Sequence, residues 1–287
     1  MPDNSVAARD LSRLSAFYGE MTSVDGVLGG ARAAGLDLGD LSAADLYTRG
    51  LDLHNLGGYP ELESVAVAVE LIAAPTSDDL VLDVGCGLGG PSRFLTDRFG
   101  CRVTGVDLLP LRVDAATALA ERLGFASRVE YRAADATSLP FEDGRFDQAW
   151  MLDVSIHIRD KRRLFGELAR LLRAGGLLVV HEQMGPLPPA MLPLKRRAPY
   201  FAPSFKQFIG IVEDAGLRVQ MWQDTTALVL AEFYRRRDVL SSIDASSLRG
   251  AAAVAVRRGH RLIEGYVDTL ESPAGRAGIM VATSQGR

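Results

Sequence analysis

From residue 80 onward, short apolar runs alternate with amphipathic stretches, and that alternation limits what the chain can fold into. The runs are 80–84, 102–106, 129–132, 146–151 and 176–181. Between them, 91–98, 111–123 and 161–173 carry apolar residues at helical spacing. Strand, helix, strand at this spacing requires right-handed crossovers and a parallel sheet covered by helices on both faces. A helix over 204–215, a strand over 217–222, long helices over 226–240 and 247–270, and an apolar strand near 278–283 follow. The two late strands predict a sheet finished by an antiparallel pair. The expected fold is α/β, with seven strands, mostly parallel, and an antiparallel last strand.

The first 75 residues read differently, as a helical N-terminal extension or lid. Residues 6–20 are amphipathic, 61–74 form a strong helix, and a glycine-bearing stretch ending in Leu53-His54-Asn55-Leu56-Gly57-Gly58-Tyr59 lies between them. The core is expected over 76–287, with insertions at 185–203 and 226–271. Six of the 13 prolines fall between Pro186 and Pro203, too dense for a regular helix or a central strand. That segment follows the C-terminal end of a parallel strand, where open α/β sheets keep their ligands. It reads as a cap over the site.

The balance of 32 Lys+Arg against 36 Asp+Glu, a net charge of -4, gives no basic face for nucleic acid. The clusters Lys161-Arg162-Arg163, Lys195-Arg196-Arg197 and Arg235-Arg236-Arg237 read as solvated helix ends or turns. Cys86 and Cys101 make neither a disulfide framework nor a zinc site by themselves. No apolar run reaches the roughly 18 residues that span a bilayer, and no secretory leader is visible, so a cytoplasmic location is expected.

The most informative segment is Val81-Leu82-Asp83-Val84-Gly85-Cys86-Gly87-Leu88-Gly89-Gly90. Glycines 85, 87 and 90 satisfy the dinucleotide spacing G-x-G-x-x-G, which alone leaves more than one nucleotide possible. Asp83, two residues before the first glycine, would repel a pyrophosphate and suits a ligand carrying an ammonium and a sulfonium. Asp107 ends the second run in Val103-Thr104-Gly105-Val106-Asp107, placed to accept from ribose hydroxyls. After the third run stands Ala134-Asp135-Ala136-Thr137-Ser138-Leu139-Pro140-Phe141, then Phe146-Asp147.

Over residues 80–182 these stretches resemble the successive motifs of class I S-adenosylmethionine-dependent methyltransferases, a Rossmann-like family. The resemblance implies S-adenosylmethionine as cofactor. It implies a binding set of Asp83, Gly85, Cys86, Gly87, Asp107, Leu108, Asp135, Ala136 and Leu152, with Asp135 accepting from the adenine amine beside the Ala136 amide. The segment from Leu53 to Tyr59 resembles a pre-sheet element, Leu-His-x-Gly-Tyr, that closes over the cofactor, with two extra residues after His54.

After the fourth run comes Trp150-Met151-Leu152-Asp153-Val154-Ser155-Ile156-His157-Ile158. An acidic residue followed four later by a histidine is similar to the pattern of sterol C-methyltransferases. The phrase from Gly85 to Arg93 resembles that subgroup too, and tocopherol and amine methyltransferases share much of it. His157, with an ordinary pKa near neutrality, is the candidate proton acceptor. Glu182 is the second catalytic candidate, and His181 reads as a cap on the fifth strand.

Tyr18, Tyr59, His157, Tyr200 and Phe201 are the expected acceptor-binding residues. The apolar, aromatic character of the cap suits a greasy small-molecule natural product. Together with the sterol-type resemblance it points toward C-methylation of a prenyl chain, with or without cyclisation, as in bacterial terpenoid methyltransferases of the teleocidin type. O- or N-methylation of a polyketide, phenol, sugar or amine stays open. So do an NAD(P)-dependent oxidoreductase and a non-methylating cyclase that binds the same cofactor. No metal is expected, and a homo-oligomer is compatible with the helical surface.

Overall fold

The computed structural model describes residues 4–19, 21–185, 198–243 and 249–286. The elements in chain order are α1 (Asn4–Gly19), α2 (Val24–Ala33), α3 (Ala43–Thr48), α4 (Gly58–Glu70), β1 (Leu80–Val84), α5 (Gly90–Phe99), β2 (Arg102–Asp107), α6 (Pro110–Arg122) and β3 (Val129–Ala133). There follow β4 (Phe146–Leu152), a 3-10 turn (Ser155–His157), α7 (Lys161–Leu171), β5 (Leu172–Met184), α8 (Phe205–Asp214), β6 (Leu217–Asp224), α9 (Thr226–Ser241), α10 (Gly250–Glu271) and β7 (Arg276–Ser284).

The seven strands lie in the order β3-β2-β1-β4-β5-β7-β6. The first five pair in parallel, and β7 runs antiparallel between β5 and β6. This is the expected Rossmann-like α/β sheet with its antiparallel finish.

Both faces of the sheet are apolar because helices cover both. Along β1, Val81 packs on one side with Val65, Val69 and Phe94, while Leu82 and Val84 pack on the other with Phe165 and Leu168. Trp150 and Val179 join Val81's side; Met151 and Val180 join the opposite side. A period of two with apolar residues at both phases is what a parallel strand buried on both faces requires.

Element ends depart from the sequence expectation where local chemistry overrides periodicity. Helix α4 begins at Gly58 rather than at residue 61, since Pro60 within its first turn costs no hydrogen bond. Strand β5 starts at Leu172 rather than 176, and its pairing with β4 shifts register between Phe146 and Gln148. The N-terminal segment is bolted to the core by a fully buried ion pair, Arg93 Nη2 to Asp52 Oδ2 at 2.7 Å. Lys161, expected as a solvated helix end, is buried instead, and its ammonium donates to the carbonyls of Ser155 and Ile158. Among the described residues no helix is long and apolar enough to cross a membrane. Most of the proline-dense segment, with Lys195-Arg196-Arg197, lies outside the described residues.

Candidate active site

The strand order reverses direction between β1 and β4, and the crevice beyond their C-terminal ends is where such sheets bind ligands. Here β1 turns into α5 through Gly85 (φ 73°) and Gly87 (φ 58°). Both are left-handed conformations, and a Cβ would lie 2.4 Å from Val154 Cγ2 at position 85 and 2.3 Å from Arg112 Nη2 at position 87. The N–H groups of Gly85 and Cys86 donate to the Val106 carbonyl, and that of Gly87 donates to Asp107 Oδ2 at 3.1 Å. The turn is therefore pinned to the end of β2.

All nine expected cofactor residues, Asp83, Gly85, Cys86, Gly87, Asp107, Leu108, Asp135, Ala136 and Leu152, line this one cleft. Asp83 is buried and accepts from Ser92 Oγ at 2.5 Å; burial pushes its carboxyl up to about 6. Asp107 also accepts the Leu109 N–H through Oδ1 at 3.0 Å. Asp135 Oδ1 accepts from the N–H and hydroxyl of Thr137, both at 2.8 Å.

Three residues of the cleft escaped the sequence analysis. Asp52 Oδ1 and Asn55 Oδ1 are buried without partners, Arg112 Nε makes no hydrogen bond beyond its ion pair with Asp107, and all three residues line the cleft. Buried polar groups are rarely left unpaired. Two unpaired acceptors in the cleft that Asp83 also lines suit a ligand ammonium, which S-adenosylmethionine carries. Arg112 itself stands inside, 3.5 Å from Asp107 Oδ2, 2.8 Å from His54 Nδ1 and 4.4 Å over the Tyr18 ring. Arg112 thus crosses the cleft between Asp107, His54 and Tyr18. Their sequence signals were slight: a polar residue on either side of Leu53-His54, and an arginine five residues after Asp107.

A second cavity of about 690 Å³ adjoins the first, within the size range of small-molecule sites. Phe17, Tyr18, Leu56, Phe233, Ile263 and Tyr266 give it an apolar and aromatic wall, and Tyr59 lies in it as expected. Tyr18, His54, Asn55, Asp153 and His157 belong to both cavities. Arg235 and Arg236 line it as well, both paired with Glu232.

His157 sits where the two meet. Its Nδ1 is 2.7 Å from the Pro199 carbonyl and its Nε2 is 2.8 Å from Tyr18 Oη. A carbonyl only accepts, so Nδ1 carries the proton, and Nε2 accepts from the Tyr18 hydroxyl. Burial pulls the imidazole down to about 4 and pushes the Tyr18 phenol up to about 12.

Three of the expected residues lie away from both cavities among the described residues. Glu182 has no exposed surface and lines neither cleft; its Oε2 accepts the Ile156 N–H at 3.2 Å, holding the turn that carries His157. Tyr200 is buried outside both cavities, its hydroxyl on the Gly185 carbonyl. Phe201 faces outward beneath Arg159, and its N–H donates to the Ile156 carbonyl. Tyr200 thus ties this segment to the end of β5, and Phe201 ties it to the turn at Ile156. The aromatic wall comes from α1, α9 and α10 instead.

A glycine turn between β1 and α5, with carboxylates ending β1 and β2 and following β3, has the arrangement that the resemblance to class I S-adenosylmethionine-dependent methyltransferases implies. Residues 82–180 match the family model of a methyltransferase domain. A probable chloroplastic tocopherol O-methyltransferase of Oryza sativa subsp. japonica is 32% identical over 181 residues, covering 58% of this chain and 50% of that one. The sterol 24-C-methyltransferase of Eremothecium gossypii is 36% identical over 110 residues, covering 38% and 30%. The chain thus spans half or less of the length of these relatives. Among solved structures, geranyl diphosphate C-methyltransferase from Streptomyces coelicolor A3(2) shares the fold, with a TM-score of 0.63, 20% identity and coverage of 78% and 80%.

Proposed function

We propose that this chain transfers the methyl group of S-adenosylmethionine to a small, largely apolar acceptor, and that this acceptor is a prenyl or isoprenoid alkene methylated on carbon. The observation that carries the reading is the continuity of the two cavities at Tyr18, Asp153 and His157, with an aromatic wall beyond. The names of two relatives, a sterol and a geranyl diphosphate C-methyltransferase, support the choice of carbon.

When bound, the cofactor supplies a methyl group on a sulfonium. Asp107 would hold the ribose, Asp135 and Ala136 the adenine, and Asp83, Asp52 and Asn55 the charged tail. Methyl transfer is an in-line displacement, so the chain's main task is alignment of donor and nucleophile. Bound there, the cofactor would supply an electrophilic methyl to the alkene's π electrons, its sulfur keeping the electron pair of the bond that breaks. The positive charge then on the acceptor faces the rings of Tyr18, Phe233 and Tyr266. His157 takes the departing proton at Nε2, directly or as Tyr18 passes on its own. The neutral imidazole has its lone pair ready at every ordinary pH.

Mass spectrometry with trideuteromethyl-labelled S-adenosylmethionine tests the reading against a panel of prenyl-bearing acceptors and of phenols, amines and sugars without prenyl chains. Label on a prenyl carbon is expected. Label on oxygen or nitrogen would return the aromatic wall to packing and make the chain a heteroatom methyltransferase.

A further inference from the structure

His181 lies within β5 without any exposed surface, and it joins three elements rather than capping one. Its Nδ1 lies 3.1 Å from Asp153 Oδ1 and 3.2 Å from Glu61 Oε1, and its Nε2 lies 2.9 Å from Thr225 Oγ1. These partners belong to the turn after β4, the start of α4 and the turn before α9. Both carboxylates are bound in turn to the segment beside the cofactor cleft. Asp153 Oδ2 accepts the Leu56 N–H at 2.6 Å, Glu61 Oε2 accepts the Gly57 N–H at 2.7 Å, and Glu61 Oε1 accepts the Asn55 amide at 2.9 Å.

Asp153 is also the one non-glycine among the described residues with positive φ, at 57°. Such a conformation persists where its surroundings over-determine it. Here the Asp153 N–H donates to the His181 carbonyl at 2.8 Å while the side chain is held at both oxygens.

Nδ1 faces two buried carboxyl groups, so it carries a proton; burial and the Asp153 charge push the Glu61 carboxyl itself up to about 8, and the imidazole works against that rise. The groups bearing on the ring are Glu61 from α4, Asp153 after β4 and Glu182 from β5, with the Lys161 ammonium beyond Glu182. Burial alone would lower the imidazole, but the carboxylates outweigh it and push it up to about 9.

We propose that His181 is a positioning residue whose ring, through the proton on Nδ1, clasps Glu61 and Asp153. The clasp fixes the segment carrying His54 and Asn55 at the cofactor cleft and, through Asp153, the turn carrying His157 at the acceptor cavity. Its consequence for binding rests on the reading of the first cleft as the cofactor site; its protonation does not.

Histidine-selective nitrogen NMR on the whole chain is the first test. At about pH 7 His181 should carry a proton on Nδ1, while His54 and His157, pulled down to about 3 and about 4 by burial, should each show one bare nitrogen. The second test is calorimetric binding of S-adenosylhomocysteine. His181→Phe, which keeps the bulk without a donor, should weaken it at least about tenfold, and His181→Asn, which keeps an N–H near Nδ1, should restore most of the loss.

A His181 ring with a bare Nδ1 at about pH 7 overturns the clasp even if the variants fail to fold. So does wild-type affinity in a folded His181→Phe variant, or binding that EDTA abolishes, since the cluster's three ligand atoms would then be holding a metal ion. A wild-type chain that binds no S-adenosylhomocysteine but shows the proton on His181 Nδ1 overturns the reading of the cleft and supports the clasp.

Discussion

His157→Ala is expected to slow turnover on the order of 100-fold while leaving cofactor affinity near that of the wild type, the size of effect a positioned general base gives. The geometry makes the prediction specific. Nδ1 is committed to the Pro199 carbonyl, so Nε2 is the atom free to take a proton, and it points at Tyr18 between the two cavities. The sign of the pKa shift adds a second expectation. Burial holds the imidazole neutral down to about pH 4, so the base form is present in full above that value. Turnover should then show no inflection from His157 between about pH 5 and about pH 8. Steady-state rates across that range check both points. An unchanged rate in the variant would leave His157 a structural role, and a wild-type inflection near the ordinary histidine value would contradict the buried, neutral ring.

Asp107→Ala should weaken cofactor binding by about 1.5–3 kcal/mol, a loss of roughly ten- to hundredfold, as expected when charge-assisted hydrogen bonds disappear. Asp107 does two things here. It presents a carboxylate at the cleft, and it holds the glycine turn through the Gly87 N–H and the start of α6 through the Leu109 N–H. Asp107→Asn separates these roles, since it keeps an accepting oxygen and removes the charge. Calorimetry with S-adenosylhomocysteine on both variants checks the prediction, and unchanged affinity in the alanine variant would take Asp107 out of the site.

The cofactor end was legible in the sequence because its residues are local to strand ends. Asp83, Asp107 and Asp135 each follow an apolar run at a fixed offset, and a parallel sheet necessarily brings such ends together. The acceptor end was legible only in part. His157 carries a short-range pattern with Asp153, but Tyr200 and Phe201 were placed in the site by composition, and the backbone turned one inward and the other toward Arg159. The true aromatic wall comes from Phe17, Phe233 and Tyr266, on three helices far apart in the chain. No sequence period reports which faces of distant helices meet. Glu182 and His181 show the same limit. Adjacent at the end of β5, they read as pocket and cap, yet the carboxylate is spent on the Ile156 N–H while the imidazole joins Glu61 to Asp153.

The central claim is that the cleft at the ends of β1 and β2 binds S-adenosylmethionine rather than a nicotinamide dinucleotide. Calorimetric titration of the whole chain with S-adenosylhomocysteine and, separately, with NADH tests it most directly. Saturable binding of S-adenosylhomocysteine with no heat from NADH is the predicted result. Binding of NADH without S-adenosylhomocysteine would contradict it, since Asp83 and the unpaired acceptors on Asp52 and Asn55 would then be facing a pyrophosphate.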